Sequence, residues 1–460
     1  MHDWQRSVIY QIYPKSFYSH AGNATGDLLG VVDKLDYLQW LGVDYLWLTP
    51  FLRSPQRDNG YDISDYYAID PSYGSMADCE LLILEARARG IKLMLDIVVN
   101  HTSTEHPWFQ QARSSLDNPY RDFYIWRDQP NNWHSKFGGS AWEYEAQTGQ
   151  YYLHLFDHTQ ADLNWDNPTV RAEVYKLMRF WRDKGVGGFR LDVINLISKP
   201  ADFAQDDSDG RRFYTDGPRV HAYLQEMHRE VFAGHDLVSV GEMSSTSLQH
   251  CIRYSNPQSR ELSMTFNFHY LKVDYPNQQK WVHGDVETLN IYRLKRDAGE
   301  THAGCMAAIM QKSRDNGRTP MQWDHQPNAG FSSARPWIDL PDNAARITVQ
   351  DQRNDPSSVL HHYRHLIALR RAEPLLQHGK YHPLLLEHPH VWAYLREGDD
   401  ERLLVLNNFY GMPCDIELPA EVISEHMPQR VLISNYDDCP QRTRRITLRP
   451  YESFVLHVQS

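Results

Sequence analysis

With 460 residues the chain is too long for one small domain and long enough to bury a sizeable core. A net charge of −12 and a pI near 6.0 argue against nucleic acid as a partner, because a phosphate backbone attracts a basic face. Cys79, Cys251, Cys305, Cys414 and Cys439 follow neither metal-type nor redox-type spacing, residues 1–8 carry no apolar leader, and no apolar run reaches the length of a membrane span. Free thiols, a cytoplasmic location and no membrane partner are therefore expected.

Strand-like and helix-like segments alternate over the first 268 residues. The pattern predicts a strand over 8–14, a helix over 28–42, a strand over 45–50, a helix over 77–90 and a strand over 92–99. It continues with a helix over 169–185, a strand over 188–195, a helix over 219–232, a strand over 237–241, a short helix near 247–254 and a strand over 262–268. So many βα units favour a closed (β/α) barrel over an open doubly wound sheet. One connection is far too long. Residues 102–165, rich in Trp, Tyr, Gly and Asn, read as a lobe inserted after the third strand, so the barrel domain is assigned to 1–101 and 166–373. From 374 to 460 short alternating strands, among them 403–408, 430–434 and 453–458, predict a β-sandwich. The Asp and Gly cluster at 206–210 reads as a solvated loop.

Several polar residues fall where barrel strands end, and barrels of this kind place their active sites there. Asp96, Asn100 and His101 follow the third strand, Arg190 and Asp192 the fourth, and Glu242 the fifth, with Asp58 and Tyr61 in the loop after the second. In GGFRLDVIN (187–195) Arg190 and Asp192 stand two apart on a strand and so share a face. A guanidinium beside a carboxylate keeps the acid ionised and directed, as a carboxylate nucleophile requires. Read alone, the pair could equally be a structural ion pair. A carboxylate pair across a sugar is the minimal machinery of glycoside hydrolysis. The 27 Tyr, 16 Phe and 13 Trp, many in polar stretches such as 131–142 and 323–337, suit sugar rings with apolar faces and hydroxylated edges.

DIVVNH (96–101), GFRLDVIN (188–195) and VGEM (240–243), in that order, resemble the α-amylase superfamily, glycoside hydrolase family thirteen. IYQIYPKSF (9–17), DNGYDI (58–63), SKFGGSAW (135–142), GRRFYTDGPR (210–219), GEMSSTSLQHC (241–251), LSMTFNFHYLKVDYP (262–276) and RDNGRTPMQW (314–323) extend the resemblance over nearly the whole chain. They point to its phosphotrehalase branch, with the oligo-1,6-glucosidase branch next. The resemblance implies a retaining, exo-acting hydrolase that turns trehalose 6-phosphate and water into glucose and glucose 6-phosphate. Asp192 is then the nucleophile, Glu242 the general acid and base, and Arg190 the group that orients Asp192. His101 is expected on the bound sugar, Asp58 with Arg318 on its non-reducing end, and Tyr61 under its ring. Val193, directly after the nucleophile, is similar to members that avoid α-1,4 linkages. Lys136, Arg211, Arg212 and Lys272 lie in the phosphotrehalase-like segments and are candidates for the substrate phosphate; about half of such a set would be ordinary surface charges. An oligo-1,6-glucosidase and an impaired, noncatalytic or truncated member are the alternatives.

Two departures from the family pattern stand out. The loop SHAGNATGD (19–27) offers only Asn23 and Asp27 where some relatives hold calcium, too few ligands for a hard cation. No metal or other cofactor is expected. After the sixth strand, the chain passes almost directly from 281 to 286, without the seventh strand, its Asn-His-Asp motif, or the eighth strand. Strands 7 and 8 are expected to be missing, and with them the third carboxylate of the family site.

Overall fold

The computed structural model describes residues 4–266, 268, 292, 296, 299–312, 314–423, 426–438 and 443–459. The candidate Lys272, the expected break at 281–286 and Cys439 lie outside them. The described chain divides into two compact units, one made of Met1–His2, Ile9–Gln39 and Asp44–Arg346, the other of Asp3–Val8, Trp40–Val43 and Ile347–Ser460.

A parallel sheet forms the centre of the first unit. Its strands are β1 (Ile9–Ile12), β2 (Tyr45–Leu48), β3 (Lys92–Ile97), β4 (Gly188–Leu191), β5 (Val238–Glu242) and β6 (Met264–Phe266), hydrogen-bonded in that order. Among the described residues the sheet has six strands. Each strand is read in place from the sequence, and its ends differ from expectation by a few residues. Leu46, Leu48, Leu93, Leu95, Ile97, Phe189, Leu191, Val238 and Val240 are all buried, the near-continuous apolar pattern of strands covered on both faces.

Helix boundaries follow from capping chemistry. The helix Met76–Ala88 opens on a capping box between Ser75 and Asp78. Pro168–Lys184 opens on Asn167 with Pro at its first position and ends at Gly185, whose φ of 105° suits glycine. Its buried stripe, Val170, Val174, Tyr175, Leu177, Met178 and Trp181, recurs at helical spacing, and each such side chain contributes about 1.5–3 kcal/mol on burial.

The long insertion builds a three-stranded antiparallel sheet from Trp126–Arg127, Trp142–Glu145 and Gln150–Leu153. Gln160–Asp162 then pairs with His101–Ser103 directly after β3, which ties the lobe to the rim of the parallel sheet. In the loop at 206–210, Asp207 and Ser208 are exposed, as a solvated loop implies, but Asp206 is not. Asp206 is buried, accepts from the Gly210 N–H at 2.7 Å and pairs with Arg212 at 2.6 Å, while its backbone N–H and C=O bond to the Asn132 side chain of the lobe.

In the second unit β7 (Lys380–Leu384), β8 (Val391–Glu397), β9 (Glu401–Asn408), β11 (Gln429–Ser434) and β13 (Ser453–Gln459) form one sheet in the order β7-β8-β9-β13-β11. β10 (Cys414–Glu417) pairs with β12 (Arg445–Leu448) in a second, and Ile416, Ile446 and Leu448 share a core with Val391, Leu404 and Leu456. The helix Val359–Ala372 belongs to this unit, although the sequence reading starts the sandwich at 374. Its Leu369 packs on Leu403, Val405 and Ile433 across the outer face of the larger sheet.

Candidate active site

Asp96 near the end of β3 sits in register with Arg190 of β4, so both side chains leave the sheet together. Arg190 is buried, and its Nη1 donates to Asp96 Oδ1 at 2.8 Å and to Asp192 Oδ1 at 2.6 Å. Its Nη2 pairs with Glu242 Oε2 at the end of β5. One guanidinium therefore joins three carboxylates from three successive strands, and the reading of Arg190 and Asp192 as an isolated structural pair does not describe it. Asp96 Oδ2 accepts from Trp47 Nε1 at 3.0 Å and from Tyr61 Oη at 3.2 Å.

Burial is the dominant electrostatic influence on the cluster. It pushes the Asp96 carboxyl up to about 6, against the pull of Arg190 and with the repulsion of Asp192. Burial also works against the charge on Arg190, but Asp96, Tyr61 and Asp192 outweigh it and hold the guanidinium protonated. Tyr61 is raised well above the ordinary phenol range, mainly by burial and then by Asp96, so it stays a neutral donor. Burial lowers His101, against the charges of Asp162 and Asp192, which leaves a neutral imidazole.

The Asp96 shift carries a stability consequence. Its folded-state pKa lies above the unfolded value, so its contribution is present below about pH 4 and lost as pH rises through about 6. Thermal unfolding of the parent and of Asp96→Asn between pH 4 and pH 7.5 should show the Asn variant gaining on the parent as pH rises, by up to about 3 kcal/mol. A difference independent of pH would remove Asp96 as a shifted acid.

The chain turns sharply after the nucleophile candidate. Val193 has a φ of 36°, uncommon for a β-branched residue and typical of functional sites where packing imposes the conformation. Here that packing is the lobe core of Trp133, Trp142, Leu153 and Tyr214. The Asp192 N–H bonds to the Ile97 carbonyl at 3.0 Å, fixing where its side chain starts.

His101 Nε2 lies 3.1 Å from the Tyr61 carbonyl and 3.2 Å from Gln160 Nε2, and the same Gln160 nitrogen donates to Asp58 Oδ2 at 2.9 Å. Gln160 thus links two sugar-binding candidates and was missed; no local pattern marks it. Lys199 was missed as well. Its buried Nζ lies 2.7 Å from Asp162 and 2.9 Å from Asn100 Oδ1, and burial lowers its pKa against the pull of Asp162. In the loop at 19–27, Asp27 accepts from the backbone N–H of His20, Ala21 and Gly30, so its carboxylate serves the turn and the helix start. Among the described residues no group of three or more His, Cys, Asp or Glu could hold a metal ion.

Arg318 lies 3.6 Å from Asp315, with its guanidinium over the Tyr13 ring. Of the phosphate candidates, Lys136 donates from Nζ to Ser244 Oγ at 2.9 Å, two residues beyond Glu242. Arg211 pairs with Asp209 at 3.0 Å, and Arg212, whose side chain is largely exposed, pairs with Asp206.

Residues 11–296 and 283–379 match the α-amylase catalytic domain, in two overlapping pieces, and 391–455 match the C-terminal domain of the α-amylase SusG. The chain is 44% identical to a trehalose-6-phosphate hydrolase of Bacillus subtilis (strain 168), over 98% of this chain and 97% of that protein. It is 40% identical to an oligo-1,6-glucosidase of Parageobacillus thermoglucosidasius, over 99% of each. The crystal structure of Bacillus licheniformis trehalose-6-phosphate hydrolase superposes with a TM-score of 0.94 at 46% identity, covering 99% of this chain and 100% of that one. Such coverage argues against the truncated alternative. The difference in length is internal: the alignment to the B. subtilis protein runs over 547 positions, 87 more than the 460 residues here. Among the described residues no helix is long and apolar enough to cross a membrane.

Proposed function

The chain belongs to the α-amylase catalytic-domain family of glycoside hydrolases, and on that premise we propose that it hydrolyses trehalose 6-phosphate to glucose and glucose 6-phosphate, with retention at the anomeric carbon. The observation that carries this reading is the single guanidinium of Arg190 holding Asp192 and Glu242 on one rim. Asp192 attacks the anomeric carbon from the face opposite the leaving group, the glycosidic bond breaks, and Glu242 gives its proton to the departing oxygen of glucose 6-phosphate. Glu242 then takes a proton from water, whose oxygen displaces Asp192 and releases α-glucose. Asp96 and Tyr61 steady Arg190 from behind, and neutral His101 offers a hydrogen bond to the sugar. Asp58 and Arg318 close the non-reducing end, and Tyr61 lines the floor.

Lys136 is the phosphate group's leading partner among the described candidates, because it reaches the loop that follows Glu242 and the leaving sugar departs toward that residue. Arg211 and Arg212 serve their own loop; Lys272 remains a candidate. The reaction belongs to trehalose breakdown in the cytoplasm, a placement supported by Cys79, Cys251, Cys305 and Cys414 as free thiols. No nucleic acid, membrane or cofactor takes part. The sequence after β6 carries no Asn-His-Asp motif, where the family resemblance implies a third carboxylate. The alignment to the B. subtilis relative has 87 more positions than this chain has residues, which supports an internal gap.

Rates on trehalose 6-phosphate, trehalose and isomaltose test the substrate. Trehalose 6-phosphate should be preferred by at least about tenfold, the worth of one charge-assisted contact. Lys136→Ala should raise KM with little change in kcat, because ground state and transition state share the contact. Equal rates on isomaltose would favour the oligo-1,6-glucosidase reading instead.

A further inference from the structure

Two sequence segments, 210–219 and 241–251, supply more than Glu242 and the loop arginines, and the structure joins them through one buried carboxylate. Asp216 Oδ2 accepts from His250 Nδ1 at 2.7 Å and from Thr246 Oγ1 at 2.6 Å. Its Oδ1 accepts from Tyr254 Oη at 2.7 Å and from Asn195 Nδ2 at 3.0 Å. Asp216 itself adopts a left-handed backbone with φ 52°. A Cβ added to the following Gly217 would lie 1.9 Å from the Ser198 carbonyl oxygen, so only glycine allows the two loops to approach this closely.

Asn195 is fully buried and forms a two-way amide pair with the backbone of Ser244. Its Oδ1 accepts from the Ser244 N–H at 2.8 Å, and its Nδ2 donates to the Ser244 carbonyl at 2.9 Å. Asn195 lies three residues after Asp192, and Ser244 lies two residues after Glu242. The amide is therefore a rigid strut between the loop of the nucleophile and the loop of the acid, while Asp216 fixes its orientation and also anchors the acid loop again through Thr246 and His250.

We propose that Asn195 and Asp216 are positioning residues that set the direction of Glu242 relative to Asp192. Neither touches the reacting atoms in this account. The inference rests on the assignment of Asp192 and Glu242 above and is independent of the phosphate. It concerns the proton-transfer half of the chemistry, so its effect should depend on how much the leaving group needs a proton.

The test compares the full chain with Asn195→Ala and Asp216→Asn on two substrates, phenyl α-glucoside and α-glucosyl fluoride. Phenol leaves poorly without a proton from Glu242; fluoride leaves without one. Both variants should lose roughly 100-fold in kcat/KM on the phenyl glucoside, the cost of misplacing a catalytic group by about 1 Å. The fluoride rate should change less than about 3-fold. Asp216→Asn keeps the volume of the side chain and carries the test if Asn195→Ala does not fold. Equal losses on both substrates, or no loss on either, would overturn the positioning role. Turnover of the fluoride by Asp192→Asn at the parent rate would instead overturn the nucleophile assignment itself.

Discussion

Inserting the family's seventh and eighth βα units after β6 is expected to raise kcat on trehalose 6-phosphate by roughly 10²–10³, the usual cost of removing one preorganised electrostatic group from such a site. The expectation has three supports. The described parallel sheet has six strands, with β1 and β6 at its ends. The catalytic-domain match comes in two overlapping pieces that meet near residue 283. The resemblance places a ring-binding carboxylate at the end of the seventh strand, opposite Asp192 and Glu242. Without that charge, the positive charge developing on the sugar ring would meet one carboxylate fewer than the family site implies. The parent chain should therefore turn over slowly, and an incomplete barrel would leave strand edges that promote self-association. Sedimentation of parent and repaired chain at equal concentration checks the second half of this prediction. An unchanged kcat after insertion would show that another acid, with Asp315 the described candidate, already fills that role.

Asp192→Asn is expected to lower kcat by about 10⁴-fold or more on every substrate, because no covalent intermediate can form without the nucleophile. Glu242→Gln should behave differently. It should cost about 10²–10⁴-fold on trehalose 6-phosphate, where the leaving sugar needs a proton, and far less on α-glucosyl fluoride. Because Arg190 touches both carboxylates, each substitution also leaves the guanidinium with one fewer partner. Arg190→Lys controls for that effect: it keeps the charge and loses the forked geometry. Unchanged turnover of the natural disaccharide by Glu242→Gln would transfer the acid role to another residue.

Much of this architecture is legible in the sequence, for identifiable reasons. The βα alternation shows because parallel strands are apolar throughout and helices carry their stripe at a different period. Helix ends show because Ser75, Asn167 with Pro168, and Gly185 state their capping roles locally. Asp96, Arg190, Asp192 and Glu242 could be placed together because each ends a strand of one sheet. Gln160, Asp162 and Lys199 could not. Their partners Asp58, His101 and Asn100 lie 59 to 102 residues away, and nothing local requires them to meet. Asp206 misled for the opposite reason: its Asp- and Gly-rich neighbours signal solvent, yet a distant Asn132 in the lobe covers it. Charge alone could not rank the phosphate candidates either. In the structure Lys136 bonds to Ser244, Arg211 pairs with Asp209 and Arg212 with Asp206.

The most direct test follows the products of trehalose 6-phosphate by proton NMR from the first turnovers, with enough enzyme to outpace mutarotation. The account predicts α-glucose as the first-formed anomer, released with one equivalent of glucose 6-phosphate. First-formed β-glucose, or trehalose with inorganic phosphate, would contradict it.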